Sequence, residues 1–346
     1  MQSKVKGTVT ILGAGSFGTS LALHLSRQNY KVFLWSRDVD LVNTINLEHR
    51  NPKYLQHIQL TPSIEAFHDV SSSKAFSNTD MIVFALPTQV MRGVLRGVKN
   101  FIPKKTLLVS TAKGIELKTE YFPSQVIEEE LGVERCTSLV ILSGPSFAVE
   151  IAEGQPTGVA AASKNYEAAK KTQEIFHSPL FRIYTNEDPI GLEVAGALKN
   201  VVSLAAGACT GLGYQSNSMA TLITRGLAEI TRVGVKLGAD PLTFNGLGGV
   251  GDLILTCSSQ KSRNFSVGYR LGKGEQLQTI LSSMNEVAEG VTTAHSAYNL
   301  CKKIHVRSPI VNSVYQVFHE GKSLKEAVFE LTNGDAKDEF DWTQKS

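Results

Sequence analysis

The sequence predicts an α/β protein in which a doubly wound parallel-sheet domain is followed by an all-helical domain. Short apolar segments alternate with helix-patterned segments through the first half of the chain. A glycine-rich turn follows the first apolar segment, and the strand signals end near Asn186. Short, nearly all-apolar strands separated by helices are typical of a parallel sheet that helices cover on both faces.

The first domain is predicted to span residues 1–190 and to begin with the strand Val9–Leu12 and a helix from Ser16 to Gln28. The segment Asn51–Ser63 contains two prolines, has the least regular pattern, and is expected to be a mobile excursion. Helical patterns recur at Ser124–Leu131 and Tyr166–Phe176. The later strands are predicted at Lys31–Trp35, Met81–Leu86, Leu107–Ser110, Leu139–Ser143, Gly158–Ala161 and Phe181–Tyr184.

The second domain is predicted to span residues 191–346. A helix start is indicated by Asn186-Glu-Asp-Pro189, a polar cap followed by proline in the first turn. The pattern then stays helical to Asn333, apart from a break at the glycine cluster Gly246–Gly251. We expect the active site in the cleft between the two domains.

Composition excludes several classes of function. The 346 residues carry a formal net charge of only +3, and the basic residues are spread along the chain. This pattern does not indicate a nucleic-acid-binding surface, which would need clustered basic residues. An apolar strand within ten residues of the N-terminus leaves no room for a signal peptide, and no run of about 18 apolar residues predicts stable membrane insertion. The four cysteines are far apart, which favours a reducing, cytoplasmic compartment. No His, Cys and Asp cluster has metal-ligand spacing.

The first motif is Gly13-Ala-Gly15-Ser-Phe-Gly18, between the first strand and the first helix. One glycine permits the tight turn, one lets the backbone approach a pyrophosphate, and one allows close packing of helix on strand. The helix N-terminus then offers N–H groups and a positive dipole end to the phosphates. The position of the motif within a βαβ pattern predicts a dinucleotide site, although an ordinary glycine-rich turn is the alternative.

The residues after the second strand bear on the choice between NAD and NADP. An NAD-selective site has an acidic residue there to bond the ribose 2′-hydroxyl, whereas this strand is followed by Ser36 and Arg37. We therefore favour recognition of a 2′-phosphate. The alternative is that Arg37 is a solvated surface residue and that Asp38 or Asp40 reaches the ribose.

Lys199 is the most unusual charged residue, because the helix around it has no polar face. Burial lowers the pKa of a lysine towards neutrality unless a carboxylate holds the proton, so Lys199 is a candidate acid–base group. Asp252, between a glycine loop and an apolar run, is an available partner. The alternatives are that Lys199 lies on a solvent-exposed face of its helix and that Asp252 only caps a helix beginning at Leu253.

A third group is Ser262-Arg263-Asn264, at the predicted start of a helix that ends at Gly272. Ser262 is typical of an N-cap and Gly272 of a C′ residue. A helix N-terminus with a serine, an arginine and an asparagine can bind phosphate. Capping explains Ser262, but an arginine beside the positive end of a helix dipole is unfavourable unless an anion is near.

With these groups, the sequence resembles the bacterial NAD(P)-dependent glycerol-3-phosphate dehydrogenases over nearly its whole length. Four later blocks in combination are specific, whereas the first glycine motif alone is not. The matching blocks are Gly13–Gly18, Ser110-Thr-Ala-Lys113-Gly114, Ser143-Gly144-Pro145-Ser146-Phe147-Ala148-Val-Glu150, Gly196-Ala-Leu-Lys199-Asn200, Gly248-Gly-Val-Gly-Asp252-Leu through Ser262-Arg263-Asn264, and Val287-Ala-Glu289-Gly290.

The resemblance implies an N-terminal Rossmann-type domain, a helical domain of the 6-phosphogluconate dehydrogenase type, and a homodimer. It implies that Lys199 is the catalytic acid–base residue and that Asp252 orients it. The implied substrate-binding residues are Lys113, Gly144, Ser146, Lys199, Asp252, Ser262, Arg263 and Asn264. The implied cofactor-binding residues are Gly13, Gly15, Ser16, Phe17, Gly18, Arg37, Lys113, Ala148, Arg263, Val287 and Glu289.

The sequence departs from the family pattern at two positions. Ser203 stands where the Lys-Asn helix usually continues with alanine, and Met219 stands near where some members have arginine. We expect both departures to affect only local packing.

The resemblance implies that NAD(P)H reduces dihydroxyacetone phosphate to sn-glycerol 3-phosphate, a precursor for glycerophospholipid synthesis. From residue spacing and charge we expect no metal and no nucleic-acid partner. One alternative is a dehydrogenase of the same architecture that acts on a β-hydroxyacid, whose carboxylate Arg263 could also bind. Another is a non-catalytic dinucleotide sensor, which would have no reason to bury Lys199 opposite Asp252.

Overall fold

The computed structural model describes residues 5–71, 74–284 and 287–333. The chain divides into two compact units. The first consists of Met1–Lys113 and Tyr121–Glu193, and the second of Gly114–Glu120 and Val194–Ser346.

The first unit is built on an eight-stranded sheet in the order β10-β9-β8-β7-β6-β1-β2-β5. The chain passes from β1 to β2 on one side and later returns to β6 on the other. This change of direction at β1 is where nucleotides bind in doubly wound sheets. The strands are β1 Thr8–Leu12, β2 Lys31–Trp35, β5 Ile64–Phe67, β6 Met81–Phe84, β7 Leu107–Ser110, β8 Leu139–Ser143, β9 Thr157–Ala162 and β10 Phe181–Asn186, while β3 Arg50–Asn51 and β4 Leu55–Gln59 form a separate pair.

Helices cover both faces of this sheet. Successive strand residues alternate between two apolar cores, as Ile11 and Leu12 do. Leu21 of α1 and Phe176 of α6 belong to one core, and Leu95 of α3 belongs to the other. The helices are α1 Ser16–Arg27, α2 Val39–Glu48, α3 Thr88–Val98, α4 Pro123–Leu131, α5 Ala148–Glu153 and α6 Tyr166–Phe176. The predicted doubly wound α/β fold is thereby confirmed.

Three features of this unit differ from the sequence predictions. Strand β9 runs antiparallel to β8, because burial on both faces fixes a strand's apolar composition but not its direction. The edge strand β5 was not predicted. The segment Asn51–Ser63, in which no regular element was predicted, contains most of the β3–β4 hairpin, and Asn51 makes a long-range hydrogen bond to the carbonyl oxygen of Ala14.

The second unit is helical. Helix α7 begins at Pro189 after Asp188, whose carboxylate accepts a hydrogen bond from the N–H of Gly191, as the polar cap predicted. A π-helical turn at Leu247–Gly251, with non-helical angles at Gly249, interrupts the helices at the predicted glycine cluster. The helices are α7 Pro189–Gly211, α8 Ser216–Lys236, α9 Asp252–Cys257, α10 Arg263–Gly272, α11 Leu277–Ser282, α12 Glu289–Lys303, α13 Pro309–His319 and α14 Leu324–Thr332.

Helices α7 and α10 pack with their backbones in contact. A Cβ atom at Gly207 would lie 2.0 Å from the carbonyl oxygen of Phe265, and one at Gly268 would lie 2.0 Å from that of Leu204. Gly272, predicted to be a C′ residue, is instead the last residue of α10, and the positive φ of +94° belongs to Gly274. Gly272 is needed for packing, since its Cβ atom would lie 2.5 Å from the carbonyl oxygen of Ala208.

Helix α7 is also the one helix among the described residues that is long and apolar enough to cross a membrane. Its most apolar 18-residue window has a mean hydropathy of 1.3, but 89% of that window is buried inside the protein. The helix is therefore a core element of the fold.

Candidate functional site

The glycine-rich turn between β1 and α1 leaves open space at one of its three glycines. Gly13 has a φ of +120°, and a Cβ atom there would lie 2.3 Å from the carbonyl oxygen of Ala85. A Cβ atom at Gly18 would lie 1.9 Å from the carbonyl oxygen of Gly13, whereas one at Gly15 would meet nothing within 4 Å. Gly15 is the N-cap of α1 and has no side chain to bond the amides of the first turn. A phosphate group therefore fits here. The next two residues, Ser16 and Phe17, open α1.

The end of β2 carries a serine, an arginine and an aspartate. Ser36 is buried and its Oγ accepts a hydrogen bond from the N–H of Asp38, whereas Arg37 is exposed. Asp38 is the N-cap of α2 and accepts a hydrogen bond from the N–H of Leu41 at 3.1 Å. This bond, with a second one from Lys53, lowers the pKa of the Asp38 carboxyl. The carboxylate is thus engaged in capping the helix.

A further group of candidates follows strands β7 and β8. The Nζ of Lys113 donates to the carbonyl oxygen of Gly144 at 3.2 Å, and Ser146 Oγ donates to the same oxygen at 2.9 Å. Gly144 has no room for a side chain, because a Cβ atom would lie 2.8 Å from Val159 Cα. Ala148 is the first residue of α5. Because β1, β7 and β8 are parallel, these residues follow the same edge of the sheet as the glycine-rich turn.

The candidates of the second unit centre on Lys199. Its Nζ lies 3.1 Å from Asp252 Oδ1 and donates to Thr256 Oγ1 at 2.7 Å, and all three side chains are buried. Helix α9 begins at Asp252 itself, and its N-cap is Gly251. The Asp252 carboxylate is therefore directed to the lysine, and the interpretation of Asp252 as an N-cap before Leu253 is wrong. A buried ammonium–carboxylate pair of this kind can hold and transfer a proton.

The N-terminus of α10 forms the second part of this group. Ser262 is the N-cap, as predicted, and its Oγ accepts a hydrogen bond from the N–H of Phe265. The guanidinium of Arg263 donates to the carbonyl oxygen of Val287 at 3.0 Å. Asn264 Oδ1 accepts a hydrogen bond from the N–H of Gly290 at 2.9 Å. The start of α12, where Glu289 is the first residue, is thereby attached to the start of α10.

One departure from the family pattern has more than a packing effect. Ser203 is fully buried, and its Oγ donates to the carbonyl oxygen of Thr256 at 2.9 Å and lies 3.1 Å from Ser262 Oγ. The expectation of an effect on packing alone was wrong for this residue, because its hydroxyl makes hydrogen bonds that join α7 to α9 and to the start of α10. The other departure, Met219, accepts a hydrogen bond at Sδ from Thr210.

The sequence-predicted residues thus fall into one group in each unit, and three neighbours of these groups were missed. Thr256 lies one helical turn after Asp252, and that spacing was an available signal. Asn51 and Lys53 carried no such signal, because their partners are distant in sequence: Asn51 Nδ2 donates to the carbonyl oxygen of Ala14 and Lys53 Nζ to Asp38.

Comparisons with known proteins point to a single family. Residues 8–169 match the family described as NAD-dependent glycerol-3-phosphate dehydrogenase N-terminus, and residues 188–329 match the corresponding C-terminus. A glycerol-3-phosphate dehydrogenase [NAD(P)+] of Staphylococcus aureus is 45% identical over 331 residues, which cover 96% of this chain and 99% of the relative.

Solved structures agree with this result. The glycerol-3-phosphate dehydrogenase of Coxiella burnetii superimposes with a TM-score of 0.90 at 34% identity, covering 96% of this chain and all of the other. The yeast glycerol-3-phosphate dehydrogenase superimposes with a TM-score of 0.78 at 28% identity, covering 94% of this chain and 99% of the other.

Proposed function

The chain belongs to the family of NAD-dependent glycerol-3-phosphate dehydrogenases and is an NAD(P)-dependent oxidoreductase of that activity, in which we propose that Lys199 is the acid–base residue. The observation that carries this proposal is the buried pair of Lys199 and Asp252, whose Nζ and Oδ1 atoms are 3.1 Å apart in an apolar helix environment. The substrate pair is dihydroxyacetone phosphate and sn-glycerol 3-phosphate.

The glycine-rich turn fits the pyrophosphate of the cofactor, because only Gly15 leaves open space in front of the α1 N-terminus. When bound, NAD(P)H supplies the hydride for the carbonyl carbon. The residues that we propose for the cofactor are Gly13, Gly15, Ser16, Phe17, Gly18, Arg37, Lys113, Ala148, Arg263, Val287 and Glu289. Since Arg37 is exposed and Asp38 caps α2, we expect the site to favour NADP over NAD.

Lys199 would act at the carbonyl oxygen of the ketone, where negative charge develops as the substrate is reduced. Its ammonium group stabilises that charge and donates the proton, while Asp252 and Thr256 fix the position of Nζ. Such a positioned proton donor contributes roughly 10²- to 10⁴-fold in rate. In the oxidative direction, the same amine accepts the proton from the hydroxyl group.

The substrate phosphate would bind at the N-terminus of α10, where Ser262, Arg263 and Asn264 lie together. Arg263 can bond a phosphate bidentately, and the helix dipole adds positive potential at the same point. Binding energy from the phosphate then orients the reacting carbon. Lys113, Gly144 and Ser146 would contribute from the first domain, residues 1–190, and Lys199 and Asp252 from the second, residues 191–346.

Three broader assignments complete the proposal. The enzyme would be a cytoplasmic homodimer, and its product would supply glycerophospholipid synthesis. The free cysteines, three of them buried, support the reducing compartment. The dimer and the metabolic role rest on the resemblance to the family.

The proposal is tested by Lys199→Met, because methionine keeps an unbranched apolar side chain in an apolar helix. Since the change also removes the cationic partner of the buried Asp252, urea unfolding is measured on the same variant, and kcat is compared under conditions where the variant is folded. We expect kcat for dihydroxyacetone phosphate to fall by roughly 10²- to 10⁴-fold. Binding of NADPH, measured by equilibrium fluorescence, should change little. The matched control is Lys236→Met at the exposed end of α8, which should retain full activity. A Lys199→Met enzyme that keeps more than about a tenth of the wild-type kcat contradicts the assignment, and the proton donor would then be sought at Lys113.

A further inference from the structure

Hydrogen bonds connect the β3–β4 hairpin to the glycine-rich turn and the start of α1. The fully buried Asn51 donates from Nδ2 to the carbonyl oxygen of Ala14 at 3.0 Å and to Thr19 Oγ1 at 2.8 Å. Ser16 Oγ donates to the carbonyl oxygen of Tyr54 at 3.3 Å. Buried hydrogen bonds of this kind fix the position of a loop, so the residues of the hairpin turn have a defined place relative to the glycine-rich turn.

Lys53, in that turn, brings a second positive charge to the end of β2. Its Nζ lies 3.1 Å from Asp38 Oδ2, with half of the lysine side chain exposed. The hydrogen bond to Asp38 raises the pKa of Lys53, and Arg37 is near enough that its positive charge opposes this rise. Three charged side chains, two basic and one acidic, are thus grouped where the second strand ends.

The net charge of these three groups bears on whether a ribose with a 2′-phosphate or one with a 2′-hydroxyl would fit at the end of β2. With Lys53 present, the three groups leave a net positive charge, and the carboxylate of Asp38 is held by an ammonium group. Without Lys53, the charges of Arg37 and Asp38 cancel, and an unmasked carboxylate would repel a phosphate on the ribose. Binding of a cofactor with a neutral 2′-hydroxyl would change little, because the hydroxyl carries no charge for the carboxylate to repel.

We propose that Lys53 is a specificity-determining residue that masks Asp38 and thereby lets Arg37 bind the 2′-phosphate of NADP(H). The inference rests on the proposed function in two assumptions, that the dinucleotide binds at the glycine-rich turn and that its ribose lies near Arg37. The competing explanation is that Lys53 only holds the hairpin in place through its ion pair with Asp38. The two explanations predict different NADPH affinities for a protein in which Asp38 has lost its charge.

The first measurement compares equilibrium binding of NADPH and NADH to the whole protein at low ionic strength. Lys53→Met should weaken NADPH binding by about 3- to 10-fold, since an exposed attraction is lost and a repulsion is unmasked. NADH binding should change by less than about twofold. The matched control is Lys31→Met at the other end of β2, where an exposed lysine also pairs with a carboxylate, that of Glu65. It should leave both affinities unchanged.

The deciding variant is Lys53→Met combined with Asp38→Asn. Asparagine is as good an N-cap as aspartate, so α2 keeps its start, and the net charge returns to that of the wild type. The ion pair is still absent. Recovery of NADPH affinity to near the wild-type value supports the charge-masking role, whereas an affinity that stays as low as in Lys53→Met overturns it. Equal loss of NADH and NADPH affinity in Lys53→Met also overturns it.

Arg37→Asp separates a failure of this inference from a failure of the cofactor assignment. If Arg37→Asp weakens NADPH selectively and Lys53→Met does not, the inference on Lys53 is wrong and Arg37 keeps its role. If neither variant is selective, the 2′-phosphate does not bind at the end of β2. Activity on dihydroxyacetone phosphate at saturating cofactor, measured on the same preparations, tests the dehydrogenase assignment separately from cofactor preference.

Discussion

At the scale of single residues, the buried ammonium group of Lys199 is balanced by a carboxylate and a hydroxyl. Removing one partner of a buried ion pair leaves an uncompensated charge, which typically costs about 3–5 kcal/mol. Loss of either Lys199 or Asp252 alone should therefore destabilise the protein, whereas Asp252 and Thr256 together fix the position of Nζ. Ser203 extends this set to the start of α10, since its Oγ lies between the carbonyl oxygen of Thr256 and Ser262 Oγ.

Arg263→Ala tests the substrate phosphate at the same scale. Arg263 is exposed in this structure, so the loss depends on how far the bound substrate desolvates the pair. A charge pair that is desolvated in the complex typically costs about 2–5 kcal/mol when one partner is lost, and kcat/KM for dihydroxyacetone phosphate should then fall by roughly 30-fold to several thousand-fold. Activity on unphosphorylated dihydroxyacetone should fall much less, because that ketone has no phosphate to lose.

Two measurements complete the Arg263 experiment. NADPH affinity is determined separately, since Arg263 is also proposed to contact the cofactor, and its change is divided out. Equal losses for both ketones would show that Arg263 is not the phosphate anchor, and a hydroxyacid substrate would then have to be tested.

At the scale of helices and strands, the sequence predicted those features that depend on residues close together along the chain. The apolar strands β1, β2, β7 and β8, the capped start of α7 and the N-cap Ser262 were all predictable, because burial and capping depend on neighbours in sequence. The direction of β9, the edge strand β5 and the order of the hairpin depend on distant contacts. Lys199 and Asp252 were identified because each is a charged residue beside an apolar run, which is a local signal. Lys53 stands in a polar segment, so nothing local distinguishes it from an ordinary surface lysine, and its pairing with Asp38 appears only in the structure.

The contact between α7 and α10 predicts the effect of a single added methyl group. Gly207→Ala would place a Cβ atom 2.0 Å from the carbonyl oxygen of Phe265, a backbone atom that cannot rotate away. Overpacking of this kind typically costs about 1–3 kcal/mol. We expect a lower midpoint of urea unfolding and a lower kcat/KM, since the two helices carry Lys199 and Arg263.

The matched control is Gly93→Ala in α3, where a Cβ atom would meet nothing within 4 Å. Alanine is favoured over glycine in a helix interior by about 0.5–1 kcal/mol, so this variant should be slightly more stable than the wild type. A Gly207→Ala protein as stable as the wild type would mean that the helices can separate without cost.

At the scale of the whole molecule, two buried carboxyl groups make stability depend on pH. Glu193 accepts hydrogen bonds from the backbone and side chain of Ser124, and Glu229 accepts them from the N–H groups of Ile310 and Val311. Burial raises the pKa of each to about 7, from an ordinary value of 4.5. Their contribution to stability is therefore fully present below about pH 4.5 and is lost as the pH rises through about 7.

Glu193→Gln should remove this dependence at one site. Glutamine resembles the protonated acid and can accept from the Ser124 N–H while donating to its Oγ. The variant should match the wild type near pH 5 and be more stable by about 1–3 kcal/mol at pH 8, at about 1.4 kcal/mol for each unit of pKa change. Urea unfolding at both pH values measures the difference. Glu134→Gln, at an exposed position, should track the wild type throughout. A constant gap between Glu193→Gln and the wild type across this range would exclude the ionisation of Glu193 as its cause.

The glycines at the α7–α10 contact also constrain how the enzyme can evolve. Gly207 and Gly211 on one helix, and Gly268 and Gly272 on the other, each face a backbone carbonyl oxygen within 2.5 Å of where a Cβ atom would be. Every sense codon one base away from a glycine codon, other than another glycine codon, encodes a residue with a Cβ atom. No single nucleotide change can therefore replace any of the four without pushing the helices apart. The spacing between the helix that carries Lys199 and the helix that carries Arg263 is thus held by four positions together, and a substitution at any one of them changes it.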